Sequence, residues 1–388
     1  MAKRKLKMGM IGGGKGSFIG AVHRMAANLD GQIELVCGAF SSDPRLSVES
    51  GKELFLESSR CYGSFDEMIS SESQLAPDVR MDFVSIVTPN HVHYAPAVAS
   101  LDAGFPVIID KPLSFTYDEA LELRSKVMET RLPFAVTYTY SGYPMVKQAK
   151  AMVANGELGK IRKILVEYPQ GWLSQKLEDS DSKQASWRTD PKRSGISGCF
   201  GDIGTHATQM AEYVSGLDVV EVLSEIRTFV SGRLLDDDAN VLVRFEGGVN
   251  GVISASQVAA GEENNIKIRI YGEKGGLEWQ QADNNTLVFK PSGEPAKIYR
   301  SGGNNAYLHD IVLANSRIPA GHPEGYLEAF ANIYRNFSED VRNHHNGVVN
   351  TNPNLDYPGI EDGVKGMAMV EAVVKSSNNG NVWTKLKN

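Results

Sequence analysis

The sequence is poor in cysteine and has no long apolar run, and each absence excludes a class of protein. The three cysteines, Cys37, Cys61 and Cys199, are widely spaced and form no metal or redox motif, which suits a reducing compartment. No stretch approaches the ~20 apolar residues that span a bilayer. The basic residues at 3–5 are not followed by the apolar segment of a signal peptide. We therefore expect a cytoplasmic protein without a bound metal.

An excess of basic residues is also missing. The 388 residues include 40 Lys and Arg against 47 Asp and Glu, a formal net charge of −7. This balance weighs against nucleic acid or an anionic membrane as a partner. Hydrophobic residues make up 41% and charged residues 22%, as in ordinary globular proteins. The length favours two domains.

A glycine-rich turn separates a predicted strand at 5–11 from a predicted helix. Gly12 and Gly14 fit the first two positions of G-x-G-x-x-G, Ser17 stands at the third, and Gly20 is the better third glycine. The residues that follow at helical spacing are Ile19, Val22, Ala26 and Leu29. Backbone amides and a helix N-terminus in this arrangement can hold a pyrophosphate.

The acidic residue that usually binds the ribose of NAD is missing after the second predicted strand, at 32–40. Ser41 takes that position and Arg45 is close by. Since a serine can accept a 2′-phosphate that a carboxylate would repel, we predict NAD or NADP as cofactor, with a slight preference for NADP. Two alternatives stay open: Asp43 binds the ribose, or these residues cap the next helix.

Further strands are predicted at 82–87, 107–109 and 134–136, with helices between them. This alternation predicts a parallel, doubly wound sheet. The second of these helices opens with a capping box, Thr116-x-x-Glu119. Strand 107–109 ends at Asp110-Lys111-Pro112, because proline cannot continue a strand.

Lys111 therefore lies at the carboxyl edge of the sheet, where ligands bind in this architecture. A lysine there can polarise a hydroxyl or act as an acid–base group, although an isolated Asp-Lys-Pro is more often a surface turn. Thr88, Pro89 and Asn90 follow another strand and are expected at the same edge, or serve as turn residues.

After about residue 161 the pattern changes to short alternating strands. The predicted strands are 161–168, 219–230, 239–245, 249–257, 266–271, 277–281 and 286–290, and Glu246-Gly247-Gly248 is a hairpin turn. We predict an α+β domain with a mostly antiparallel sheet. The domains are placed at 1–142 and 143–388, with a final helix at about 359–377 that packs back on the first domain.

Asp202 and His206 lie four residues apart at the start of a predicted helix, so their side chains share one face. Histidine is the natural base near neutral pH, and a nearby carboxylate can orient it. Such a pair is also a common capping or packing feature.

In this order and spacing, the motifs resemble the Gfo/Idh/MocA oxidoreductases. The resemblance rests on five motifs: the glycine turn 12–20, Thr88-Pro89-Asn90 with His93, Asp110-Lys111-Pro112, Trp187-Arg188 and the run from Gly201 to His206. It implies an N-terminal Rossmann domain, a C-terminal domain with an open-faced sheet, and NAD(P)-linked oxidation or reduction of sugars, cyclitols and related alcohols. Asp110 replaces the glutamate of the family's Glu-Lys-Pro, and the Lys111-Pro112 peptide is expected to be cis.

The resemblance assigns catalysis to Lys111, Asp202 and His206. His206, oriented by Asp202, takes the hydroxyl proton, and Lys111 polarises the oxygen while hydride passes to the nicotinamide. The expected cofactor-binding residues are Gly12, Gly14, Ser17, Phe18, Ile19, Gly20, Ser41, Ser42, Arg45, Thr88, Pro89, Asn90, His93, Asp110 and Lys111.

The second domain is expected to supply a polar, aromatic substrate pocket. Besides Lys111, Asp202 and His206, the candidates are Tyr140, Trp172, Trp187, Arg188 and His322, with core packing as the alternative for each aromatic. Two other functions stay open: glycoside cleavage through transient C3 oxidation with a recycled NAD, and a non-catalytic NAD(P)-binding sensor or regulator. An exposed sheet face favours a homodimer or homotetramer.

Overall fold

The computed structural model describes residues 4–387, which form two compact units. The first contains the chain up to Thr139 together with Tyr326–Val364. The second contains Tyr140–Gly325 and the chain from Lys365. The predicted division at residue 142 differs from this grouping, which returns Tyr326–Val364 to the first unit.

The first unit is a parallel sheet with helices between its strands, as the sequence predicts. Its strands are β1 (Leu6–Gly12), β2 (Ile33–Ala39), β3 (Phe83–Val87), β4 (Val107–Ile109) and β5 (Phe134–Val136). The helices between these strands are α1 (Phe18–Asn28), α2 (Pro44–Glu53), α3 (Phe65–Gln74), α4 (Tyr94–Asp102) and α5 (Tyr117–Thr130). The strand order β2-β1-β3-β4-β5 is one of the common orders of a doubly wound parallel sheet.

The register of this sheet aligns the carboxyl ends of its central strands. Gly12 pairs with Val87, and Ile86 pairs with Ile109. The turns after β1, β3 and β4 therefore lie at one edge of the sheet. The strand order reverses between β1 and β3, and ligands bind at such a switch point. The predicted capping box at the start of α5 is confirmed: Thr116 Oγ1 accepts a hydrogen bond from the Glu119 N–H, at 3.2 Å, and the Glu119 carboxylate accepts one from the Thr116 N–H.

The second unit is built on a nine-stranded sheet. Its strands are β6 (Ile161–Pro169), β7 (Val219–Arg227), β8 (Asp238–Phe245), β9 (Asn250–Ser256), β10 (Lys267–Gly272), β11 (Gly275–Gln280), β12 (Thr286–Pro291), β13 (Lys297–Arg300) and β14 (Thr384–Lys385). Its first helices are α6 (Pro144–Ala154), α7 (Lys183–Arg188), α8 (Pro191–Ser194), α9 (Thr205–Ser215) and α10 (Asp310–Ala314). The order is β13-β12-β11-β10-β6-β9-β8-β7-β14.

This sheet confirms the predicted antiparallel architecture, apart from the parallel pair β6–β9. The sequence pattern does not predict β13 or β14, because β13 is a short, mostly exposed edge strand and β14 has two residues. The predicted open face is also present. On β8 the side chains of Ala239, Val241 and Val243 are buried, whereas the alternate Leu242 is 47% exposed.

Two long helices lie between α10 and β14, namely α11 (Tyr326–His345) and α12 (Ile360–Asn378). The buried face of α11 packs Phe330, Tyr334 and Phe337 into the core of the first unit, with Val22 of α1. Each buried aromatic contributes about 2–3 kcal/mol, which explains why this segment joins the first unit. Within residues 4–387, no helix combines the length and apolar character needed to cross a membrane.

The predicted final helix is present as α12. Its first residues belong to the first unit, where Gly363 lies so close to Leu113 that a Cβ would come within 2.8 Å of that side chain. Its last turns belong to the second unit, where Ser376 accepts a hydrogen bond from the Ser224 N–H at 2.9 Å.

Candidate active site

The glycine turn has the close packing that a dinucleotide site requires. Gly12 and Gly13 have φ values of +81° and +72°, which favour glycine. A Cβ on Gly20 would lie 2.4 Å from Gly13 Cα, so Gly20 is the glycine that lets α1 approach the turn. Ser17 caps α1 and accepts a hydrogen bond from the Gly20 N–H at 3.2 Å. The turn and helix N-terminus fit a pyrophosphate.

Phe18 and Ile19 form the first turn of α1, and Phe18 is 66% exposed. Side chains here are accessible to a ligand that lies along the turn. Their contact with a cofactor stays a prediction.

The segment after β2 caps the next helix, which was one of the alternatives. Asp43 accepts hydrogen bonds from the backbone of Arg45 and Leu46, and Ser41 accepts one from the Asp43 N–H at 3.1 Å. Ser42 and Arg45 are exposed. Because they are exposed, the side chains of Ser42 and Arg45 are accessible to a ribose or a 2′-phosphate.

The turn that carries Lys111 is held by the carboxylate before it. The Lys111-Pro112 peptide is cis, as predicted. Oδ1 of Asp110 accepts hydrogen bonds from the Lys111 N–H and from Thr137 Oγ1, both at 2.9 Å. Burial acts to raise the pKa of Asp110, but His23, Lys111 and His93 outweigh it and lower that pKa well below its usual range. Asp110 is thus a fixed anion beside Lys111.

His93 joins this turn to the one after β3. It is fully buried, with Nδ1 2.8 Å from the Pro112 carbonyl and Nε2 2.9 Å from the Thr88 carbonyl. Burial lowers its pKa, so the neutral ring, with one N–H, is favoured. Since both nitrogens face backbone oxygens, direct contact of His93 with a cofactor stays a prediction, as it does for Pro89 and the buried Asn90.

In the second unit, Asp202 and His206 lie on one continuous helical segment. A π-helical turn, Phe200–Gly204, runs directly into α9, so the helix begins slightly earlier than predicted. The Asp202 carboxylate accepts a hydrogen bond from Gln257 Nε2 at 2.9 Å and lies 3.4 Å from Arg188 Nε. That Asp202 orients His206 stays a prediction.

Sequence reasoning missed Asp236, which holds this segment in place. Its buried carboxylate accepts hydrogen bonds from Ser197 Oγ at 2.9 Å, the Gly198 N–H at 2.7 Å and the Phe200 N–H at 2.9 Å. Burial raises the pKa of Asp236. The carboxylate is about 40 residues from its donors in the chain, so no local pattern could reveal it.

His206 is 8% exposed and lies among tyrosines. The Tyr140 ring meets it edge-on, with centroids 4.9 Å apart, and the Tyr140 hydroxyl bonds to that of Tyr168. Tyr168 donates to Asn264 Oδ1 at 2.8 Å, and Gln170 bonds to the same oxygen. We name this set of Tyr140, Tyr168, Gln170 and Asn264 the amide–tyrosine network.

Of the predicted substrate residues, Tyr140 is in this network, and Trp172 extends it by donating from Nε1 to Gln170 Oε1 at 3.1 Å. The guanidinium of Arg188 lies over the Trp187 ring, with Cζ 4.3 Å from the ring centroid. His322 is exposed in the loop before α11, with Nδ1 3.3 Å from the Pro319 carbonyl, and its place in a pocket stays a prediction. The sequence does not predict Tyr168, Gln170 and Asn264 as site residues, because Tyr168 continues the buried face of β6, where alternation indicates packing alone.

Two family models match the chain. The oxidoreductase family with an NAD-binding Rossmann fold matches residues 6–138, and the GFO/IDH/MocA C-terminal domain matches residues 146–278. The chain belongs to the Gfo/Idh/MocA oxidoreductase family. The resemblance inferred from the motifs is confirmed, and the protein is an NAD-binding oxidoreductase.

Individual Gfo/Idh/MocA proteins are similar over most of the chain. The oxidoreductase YfiI of Bacillus subtilis is 34% identical and covers 99% of this chain and 98% of its own. Levoglucosan dehydrogenase of Pseudarthrobacter phenanthrenivorans is 28% identical over 77% of this chain and 80% of its own. The crystal structure of an inositol dehydrogenase homologue of Azotobacter vinelandii with NAD+ is 36% identical in sequence, has a TM-score of 0.92, and covers 98% of this chain and 97% of its own. An inositol dehydrogenase homologue of the same organism was solved with NADH and myo-inositol.

Proposed function

We propose that the protein transfers a hydride between nicotinamide and a hydroxyl-bearing carbon of a sugar, cyclitol or related polyol, or reduces the corresponding ketone. The observation that carries this proposal is the amide–tyrosine network beside His206. Phenol hydroxyls and amides offer both donors and acceptors without net charge, which suits a ring with several hydroxyls. The names of the relatives, inositol and levoglucosan dehydrogenases, support the same class.

Each catalytic residue has one task in the proposed reaction. His206 accepts the hydroxyl proton in oxidation and returns it in reduction, with Asp202 as its orienting carboxylate. Lys111 donates a hydrogen bond to the substrate oxygen and stabilises the charge that develops there. The bound nicotinamide supplies or accepts the hydride. Asp110 fixes the turn that carries Lys111.

The choice of cofactor is a further proposal. Ser41 brings no carboxylate to the position that would repel a 2′-phosphate, and the exposed Arg45 can pair with one, which favours NADP. The similar A. vinelandii structures were solved with NAD+ and NADH, which supports NAD. Dissociation constants for both reduced cofactors, measured on the wild type and on Arg45→Ala, decide between them. NADP preference requires the variant to lose affinity for NADPH only.

We also propose a homo-oligomer in a reducing, cytoplasmic setting. The exposed apolar side chains Leu242 and Val220 lie on the antiparallel sheet, where a second copy can cover them. All three cysteines are buried and free of disulfides. Light scattering of the wild type and of Leu242→Glu tests the oligomer, which the charged variant should weaken.

A spectrophotometric assay tests the main proposal. The protein is mixed with NAD+ or NADP+ and a panel of sugars, cyclitols and aryl glycosides, and reduced nicotinamide is followed by absorbance. Net reduction with an unsubstituted polyol is the expected result. Release of the aryl group without net reduction would instead identify glycoside cleavage with a recycled cofactor. Cofactor binding without either reaction would identify a sensor and overturn the proposal.

A further inference from the structure

A chain of buried polar groups crosses the interior of the first unit. His23, on α1, is fully buried, and its Nδ1 lies 2.7 Å from the Tyr334 hydroxyl on α11. That hydroxyl also lies 2.8 Å from Ser85 Oγ on β3. The chain ends at His23 Nε2, which lies 3.8 Å from Oδ1 of Asp110. Nothing in the proposed reaction yet uses His23, Tyr334 or Ser85.

The direction of this chain follows from its hydroxyl protons. If Ser85 donates to Tyr334 and Tyr334 donates to Nδ1, then Nε2 carries the ring proton and presents it to Asp110. In the reverse direction a lone pair on Nε2 would face the carboxylate. Because water does not screen that repulsion in a buried site, Asp110 selects the first direction.

Asp110 is also the point where the Lys111 turn is fastened. Its Oδ1 accepts the Lys111 N–H and the Thr137 hydroxyl, and His23 Nε2 lies 3.8 Å from the same oxygen, beyond hydrogen-bond distance but near enough for an attraction between an N–H dipole and the carboxylate charge. Helix α1, which carries His23, begins at the glycine turn. A side chain of the helix that follows the glycine turn therefore lies beside the carboxylate that fastens the Lys111 turn.

We propose that His23 is a positioning residue for Lys111: the hydroxyls of Ser85 and Tyr334 hold its Nε2–H toward Asp110, and Asp110 holds the backbone of the Lys111 turn. The effect on turnover rests on the proposed function of Lys111. The tautomer of His23 and the reactivity of the Lys111 amine do not depend on it.

The test compares Tyr334→Phe with Tyr357→Phe. Tyr357 donates its hydroxyl to Asp340, on the same helix α11, at 2.5 Å, so the control also removes a phenol hydroxyl from a contact with α11. Histidine ¹⁵N NMR reads the tautomer of His23, and peptide mass spectrometry reads the acylation rate of Lys111. Steady-state kinetics separate kcat from the KM for cofactor.

We expect the wild type to carry the proton on Nε2 of His23, and Tyr334→Phe to populate the Nδ1–H form. In Tyr334→Phe the Lys111 acylation rate should change by about threefold, the scale of one lost hydrogen bond. Its kcat should fall about tenfold, because a misplaced Lys111 amine lowers the rate of the chemical step, and a shift of about 1 Å can cost about 10²-fold. The KM for cofactor should not change. Tyr357→Phe should match the wild type in all three.

A proton on Nδ1, or on both nitrogens, in the wild type would overturn the proposal. So would a Tyr334→Phe variant whose Lys111 acylation rate equals that of Tyr357→Phe. Should Tyr334→Phe not fold, His23→Gln, which keeps an N–H toward Asp110, and His23→Leu, which does not, replace it, and equal Lys111 reactivity in these two would be the contrary result. If the wild type oxidises no polyol, the proposed function fails, whereas the NMR and acylation results still decide the role of His23.

Discussion

The Lys111 turn of the first unit and the His206 segment of the second are fixed in different ways. Lys111 follows a buried strand, and the side chains around its turn contact backbone groups: His93 lies within hydrogen-bond distance of two carbonyl oxygens, and Asp110 accepts the N–H of Lys111 itself. His206 lies instead among side chains from distant segments, such as Tyr140 and Tyr168. Backbone contacts persist through sequence change, whereas side-chain contacts can be exchanged, so we expect substitutions in the second region to alter substrate binding more than substitutions around the Lys111 turn.

Removing the amine of Lys111 should have the largest effect, because it removes the proposed hydrogen-bond donor to the substrate oxygen. We expect Lys111→Ala to lower kcat/KM at least about 10³-fold while the dissociation constant for cofactor changes by less than about threefold. Lys126→Ala, which loses only its pairs with Asp102 and Glu129, is the control and should keep wild-type turnover. Turnover of Lys111→Ala close to the control would remove this residue from the reaction.

Loss of the Asp236 carboxylate tests whether the second region depends on a single buried acceptor. In Asp236→Asn the amide nitrogen faces N–H or O–H donors, so we expect unfolding free energy to fall by about 2 kcal/mol. Urea denaturation measures it, with the exposed Asp181→Asn as control. Equal midpoints in the two variants would show that the three hydrogen bonds to Asp236 contribute little.

A change in the amide–tyrosine network should act on binding more than on the chemical step. Asn264→Ala removes the partner of Tyr168 and Gln170, and we expect KM for the polyol to rise about tenfold while kcat changes less. The exposed Asn379 provides a matched Asn→Ala control. The network would have no part in recognition if kcat alone fell.

The smallest effect expected is a pH dependence of stability from His93. Its folded-state pKa is lowered from 6.5 by burial, so the unfolded state binds more protons between that lowered value and 6.5. The stability from His93 is therefore complete above 6.5 and is lost as pH falls through the folded pKa, at about 1.4 kcal/mol per pH unit at most. His93→Asn should flatten this part of the stability profile, whereas the exposed His91→Asn should not.

The sequence predicts the first region better than the second because its signals are local. Pro112 ends a strand, Thr116 and Glu119 form a capping box, and the glycines mark a turn, all within a few residues. Asp236 and Asn264 act on residues far away in the chain, and nothing near them indicates it. The sequence places α11 in the second domain, because nothing near it in the chain indicates that the first unit buries it. The parallel pairing of β6 with β9 is hidden because alternation looks the same in either direction.

The most direct test of the account is hydride transfer from a polyol deuterated at its reacting carbon. The wild type, Lys111→Ala and His206→Asn are each incubated with the labelled polyol and oxidised cofactor, and deuterium in the nicotinamide ring is measured by mass spectrometry. We predict labelled reduced cofactor with the wild type and at least about 10³-fold slower labelling with both variants. Labelling by both variants at the wild-type rate, or a wild type that binds cofactor and polyol without transferring deuterium, would contradict the account.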